Sequence, residues 1–189
     1  MKKNNVDVKR VVIVGLMSAL VFLGTYIMKI DISWSGGQGH TMIHLGNMFC
    51  IVAAVLFGPK CGALSGAIGM SLFDIISGRF IMYFPFTFIL KYIVGYVCGY
   101  VKIKNIDKIK TNKLNCLAIF SGLIINIIFS PIISFFMRVV IYNFNFYVAA
   151  LNTIGSLISV IIDAILSFCL SFILIKFLEP ILFNKKNIY

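Results

Sequence analysis

This sequence predicts an all-α membrane protein, a six-transmembrane-helix bundle with both termini cytoplasmic, and three observations predict it. Apolar residues make up 60% of the 189 and charged residues only 12%, against about 45–50% and about 25% in soluble domains, and mean hydropathy is +1.01. The apolar residues gather into six runs of a length suited to a hydrocarbon core. The basic residues gather between alternate runs, as loops held in the cytoplasm do. One domain over 1–189 suits this length, with helix packed on helix and lipid outside.

The first run, 11–28, covers about 27 Å at 1.5 Å per residue. Basic residues precede it, yet it is long for a secretory signal and no small-x-small cleavage site follows, so it is expected to stay attached. Gly15 and Ala19, four apart, give it a small face on which another backbone could lie. Lys29 to Gly39 breaks the pattern and reads as a loop, in which Trp34 serves equally well as an interface anchor or as a movable aromatic lid. The second run, 41–57, is stopped by Gly58-Pro59. The third, 61–76, carries Gly62 with Gly66 and Ala63 with Ala67 at spacing four, and the fourth, 84–101, carries Gly95 and Gly99 likewise. Both are expected to pack closely. A short outer turn with Arg79 and Tyr83 joins them. The fifth run, 114–137, carries Pro131 near its outer end as a kink, an outer loop from Arg138 to Phe146 follows, and the sixth, 147–178, ends at Glu179-Pro180.

Charge orients the bundle. With both ends inside, 13 of the 17 Lys and Arg residues are cytoplasmic, including five lysines of the loop that follows the fourth run, of which Lys102 is the first. Lys29, Arg79 and Arg138 fall outside and Lys91 lies within a helix. The net charge of +11 is therefore a matter of topology, not of nucleic acid, which would call for a soluble scaffold and interleaved exposed aromatics. Five cysteines at wide spacing, with no Cys-x-x-Cys pair, read as small apolar fillers.

Chemistry concentrates between Gly39 and Lys91. Asp74 lies about one turn below the outer end of the third run and Lys91 about two turns below that of the fourth, sharing a row with Thr87. Lipid exposure would cost such groups about 2.5–3.5 kcal/mol or more each, so they are expected to face the bundle or a wet cavity. An ion pair that merely fixes register is the competing account. His40, His44 and Asn47 fall at i, i+4 and i+7 and would share a helical face at the outer mouth. No acid or cysteine stands beside the histidines as a third ligand, so no metal is expected, and no cofactor. The sixth run bears a polar stripe, Asn152, Ser156, Ser159, Asp163 and Ser167, whose upper part is level with that mouth. Its deep part reads first as glue between helices, with a proton or cation path as the alternative. Asn126 and Ser130, with Gly122 on the same face, could add an amide to the cavity from the fifth run or equally satisfy a neighbour near the Pro131 kink. There is no phosphate loop, nucleophile elbow or His-Glu-x-x-His pair, so the chain is expected neither to hydrolyse ATP nor to be an enzyme.

The window from Gly39 to Lys91 resembles the substrate-binding S-components of energy-coupling factor (ECF) vitamin transporters, of the group for riboflavin, pyridoxine-like and hydroxymethylpyrimidine-like compounds. His44-Leu-Gly-Asn47, Leu56-Phe-Gly-Pro59 with Gly62, Gly66-Ala-Ile-Gly69 to Asp74, and Pro85-Phe-Thr-Phe88 with Lys91 carry the resemblance. It implies a binder that holds a vitamin near the outer face, associates with a transmembrane coupling subunit driven by two ATPase subunits, and topples in the bilayer to release its ligand inside. Family members dock through a small-residue motif on the first helix, here Gly15-x-x-x-Ala19. The binding candidates are Trp34, His40, His44, Asn47, Asp74, Arg79, Tyr83, Thr87, Lys91, Asn126 and Asn152, in a multi-pass protein of a bacterial-type cell membrane. Two other readings stand beside it: a proton- or cation-coupled carrier using Asp163, and a membrane enzyme on lipid head groups using His44 and Asp74.

Overall fold

The computed structural model describes residues 2–34 and 39–183, with side chains over 8–32 and 41–183. Six helices dominate it: α1 (Lys2–Tyr26), α2 (Gly46–Phe57), α3 (Pro59–Ser77), α4 (Phe84–Lys104), α5 (Thr111–Phe136) and α6 (Phe146–Phe183). Four segments, Val8–Tyr26, Ile81–Lys104, Thr111–Ile141 and Phe146–Phe183, are long and apolar enough to cross a membrane. Large side chains such as Leu16, Ile93, Phe120, Ile128 and Ile165 remain exposed on their outer faces, the reverse of a soluble surface and the arrangement a lipid solvent permits.

The bundle is not purely helical. Lys29–Trp34 (β1) and Gly39–His44 (β2) pair antiparallel, with Lys29 opposite His44 and Trp34 opposite Gly39. This corrects both the loop expected over 29–39 and the helix expected over 41–57. Ile30, Ile32, Thr41 and Ile43 are β-branched and favour a pleated strand, and the hairpin pairs backbone groups that an irregular loop would leave to water. His40 and His44 consequently do not share a helical face with Asn47, because the helix begins only at Gly46.

The short α2 is the centre of the packing. Of its 12 residues only Phe49 and Phe57 are not buried, and Ile51, Val52, Val55 and Leu56 join Ile119 and Leu123 of α5 and Ile175 of α6 in one apolar cluster. Gly58, at φ 94°, makes the sharp exit that L side chains disfavour, and Pro59 starts α3 at once. The expected glycine packing is present where α3 and α4 meet. A Cβ on Gly95 would strike the Gly62 backbone, and one on Gly99 would sit 2.6 Å from Pro59 Cα, so the two helices approach at backbone distance.

Two helix ends differ from expectation. α6 does not stop at Glu179-Pro180 but runs through Pro180 to Phe183, because Glu179 is held there by Lys102 and Asn115. α5 continues past Pro131 and passes into a π-helical turn, Met137–Ile141, where an outer loop was expected. Arg138 on that turn is buried and donates to Thr153 Oγ1 at 3.0 Å and Ser156 Oγ at 2.6 Å, both on α6.

Candidate functional site

At the hairpin end the strands and helices enclose a polar cavity of about 140 Å³. Its position follows from the elements around it. β2 contributes Thr41 and His44, the first turn of α2 brings in Asn47, and the last turns of α3 bring in Asp74. α4 adds Thr87 and Lys91, four apart on one face, and α5 adds Asn126, Ser130 and Ser134 at the same spacing. Ser156 and Asp163 close the wall from α6.

A hydrogen-bonded relay ties these helices together. Lys91 Nζ donates to Asn47 Oδ1 at 2.9 Å and to Asn126 Oδ1 at 2.6 Å. Asn47 turns its amide nitrogen to Asp163 Oδ2, so one side chain on α2 mediates between a cation on α4 and an anion on α6. The other oxygen, Asp163 Oδ1, accepts the His44 backbone N–H at 3.1 Å and thereby seats the end of β2. The Gly46 N–H donates to His44 Nδ1 at 3.2 Å. That contact assigns the imidazole proton to Nε2 and makes the 3.9 Å approach of Nδ1 to Asp163 a near contact rather than an ion pair.

Asp74 is outside the relay. It is 4% exposed and its Oδ2 has no hydrogen-bond partner among the described residues. The register-fixing ion pair between Asp74 and Lys91 is absent among them: both line the cavity, but Lys91 spends two of its three donors on the asparagines. An arc of rings borders the acid, with Phe73 6.3 Å from Phe80, Phe80 6.1 Å from Tyr83, and Tyr83 6.2 Å from Tyr142.

Of the residues singled out from the sequence, the cavity brings together His44, Asn47, Asp74, Tyr83, Thr87, Lys91 and Asn126. Arg79 lies apart, in a separate hollow with Lys29 and Asp31. Asn152 is fully buried away from the cavity wall, with both amide atoms unpartnered among the described residues. The side chains of Trp34 and His40 lie outside the described ones. Asp163, read first as glue, does join α6 to Asn47 of α2 and to the end of β2, and it also lines the cavity, its place in the stripe with Ser156 being the available signal. Thr25, Met70 and Phe73 had no signal, being ordinary core residues by pattern. On α1, Gly15 and Ala19 are exposed, and a Cβ on Gly15 would meet nothing within 4 Å.

A family model described as ECF-type riboflavin transporter, S component, matches residues 5–178 of the chain. No curated protein matches it.

Proposed function

We propose, on the premise that this chain belongs to the family of ECF-type riboflavin transporter S components, that it is the substrate-specificity subunit of an ATP-driven importer. The family is one of transporter components and not of enzymes, and its S-components are multi-pass membrane proteins. In this reading the subunit captures a small water-soluble vitamin or vitamin precursor from the outer side of a bacterial cell membrane. It then hands the ligand to a transmembrane coupling subunit with two ATPase subunits, both of its own termini lying in the cytoplasm.

The observation that carries the reading is the cavity itself, in which two acids, a lysine and two asparagines are buried in an otherwise apolar bundle. Buried ionisable groups in a membrane bundle are costly and cluster where a solute binds. His44, Asn47, Asp74, Tyr83, Thr87, Lys91 and Asn126 are the proposed ligand contacts, joined by Asp163. Trp34 and His40 stay proposed contacts on the strength of the sequence, whereas Arg79 and Asn152 lie off the cavity wall. The exposed Gly15 and Ala19 are the proposed seat of the coupling subunit, since small residues let a partner backbone lie close.

The test is direct. The protein, purified gently in detergent, is expected to carry or bind one member of a panel of B vitamins and their precursors, read by mass spectrometry and isothermal titration. Uptake of that compound in cells is expected to require co-expression of the coupling subunit and ATPases. Uptake into liposomes by the chain alone would overturn the importer reading.

A further inference from the structure

We propose that the lipid-facing groove between α5 and α6 is a site for an anionic phospholipid, with one acyl chain lying in the groove and the headgroup phosphate meeting Lys113. The groove is separate from the polar cavity, and the assignment does not depend on which solute that cavity takes. Two hollows, of about 460 Å³ and about 270 Å³, share Phe120 and Phe168 and so form one furrow. Its walls follow from helical spacing. Lys113, Leu117, Phe120 and Ile124 recur every three or four residues on α5, and Ile161, Ile165 and Phe168 do the same on α6. Two such rows side by side leave a trough between them.

Three observations select the occupant. The first is polarity: the furrow is lined by apolar side chains except at one end, where Lys113 stands beside Asn112. One charged end on an apolar body is the profile of a phospholipid. The second is length. From Asn112 to Ile127 the furrow follows α5 for about 22 Å, which matches one leaflet of a bilayer about 40–45 Å thick with its headgroups. The helix itself has 26 residues and runs about 39 Å. A partner helix would use that whole length, whereas an acyl chain ends at the midplane.

The third observation is charge. On α6 the row of Phe168 and Phe172 leads two turns on to Lys176, which is exposed like Lys113. Glu179, three residues further, meets Asn115 of α5, so both lysines lie toward the same end of the bundle. Neither forms an ion pair among the described residues, and Glu179 is already taken by Lys102 and Asn115. No acid stands among the furrow's lining residues to compete with a phosphate. Lipid tails are as apolar as leucine, so the furrow keeps a chain by close packing while the lysines choose the headgroup. In the proposed orientation that end faces the cytoplasm, which makes the lipid one of the inner leaflet.

Native mass spectrometry tests this on the full chain in detergent, incubated with equal amounts of phosphatidylglycerol and phosphatidylcholine of identical acyl chains. One phosphatidylglycerol is expected to stay bound, preferred at least about 5-fold, the worth of a lysine beside an anionic headgroup. It is also expected to raise the melting temperature more than phosphatidylcholine does. Replacing both lysines, Lys113→Gln with Lys176→Gln, is expected to bring the preference within about 2-fold. Ile165→Trp fills the furrow and is expected to release the lipid, whereas Ile93→Trp, the same bulk at an exposed position on α4, is expected to leave it bound. Equal retention of the two lipids by the unaltered chain would overturn the assignment and give the furrow to a partner helix, a second copy or unselective lipid. So would a preference that survives loss of both lysines, or equal loss of lipid in the two tryptophan variants. Vitamin titration on the same samples is expected to be unchanged, so a failure here leaves the importer reading standing, and a failure to bind any vitamin leaves the lipid site standing.

Discussion

Two clusters of the same residue types sit toward opposite ends of α4, and they are built for different ends. Near the hairpin, Lys91 is joined to Asn47, Asn126 and, through Asn47, Asp163. Toward the other end, Lys102 donates to Asn115 Oδ1 and to Glu179 Oε1 at 2.8 Å, and Asn115 Nδ2 donates to Glu179 Oε2 at 2.8 Å. The second cluster is a closed ring in which each charge has its partners. The first stands beside an acid with an oxygen unpartnered among the described residues, and it borders open space. A lysine, an amide and an acid thus close on one another at one end of α4 and line a cavity at the other.

Replacing one member of each cluster breaks the comparison most sharply. Lys91→Met is expected to abolish ligand binding and to destabilise the protein by about 3–5 kcal/mol, because Asp163 loses the charge that balances it across Asn47. Thermal melting and titration on the same sample check both. Lys102→Met is expected to cost about 1–3 kcal/mol, since Glu179 is partly exposed and water can serve it. Ligand affinity in the folded fraction should stay within a few-fold. A large loss of affinity in Lys102→Met would show that the inner ring belongs to the site.

Gly95 lies between the two lysines on α4 and against Gly62, so Gly95→Ala tests whether they share a frame. It is expected to destabilise by about 1–3 kcal/mol through overpacking and to weaken binding moderately, as Lys91 is pushed from its asparagines. Gly15→Leu is expected to have the smallest effect on the isolated chain, within about 0.5 kcal/mol, with ligand affinity unchanged. Co-purification of the coupling subunit should nevertheless be lost, and retained assembly would remove the α1 face from the docking reading.

The helical frame is legible in the sequence because apolar run length and small-residue spacing are local properties. Gly62, Gly95 and Gly99 name their own contact by being four or so apart on helices that must meet. Asp74 and Lys91 are legible as inward-facing residues because charge in hydrocarbon demands a reason, and both line the cavity. The hairpin is hidden, since its strands carry β-branched residues in a stretch whose overall hydropathy also suits the end of a helix, and nothing local announces that Lys29 will face His44. Lys102 looks like one more loop lysine, and Glu179 like a helix stop beside Pro180. Only the fold brings them within 2.8 Å, burying Lys102 and half-burying Glu179. Asp163 has the same history, for its meaning depends on Asn47, 116 residues away.

The apolar cluster around α2 has a mechanical consequence. Below Asn47 the helix continues for three turns as solid packing, with Ile51, Val52, Val55 and Leu56 sealed against α5 and α6. The molecule is shaped as a cup with a plugged base and not as a pipe. Whatever sits in the cavity therefore rests on the packed α2 core rather than at the head of an open path.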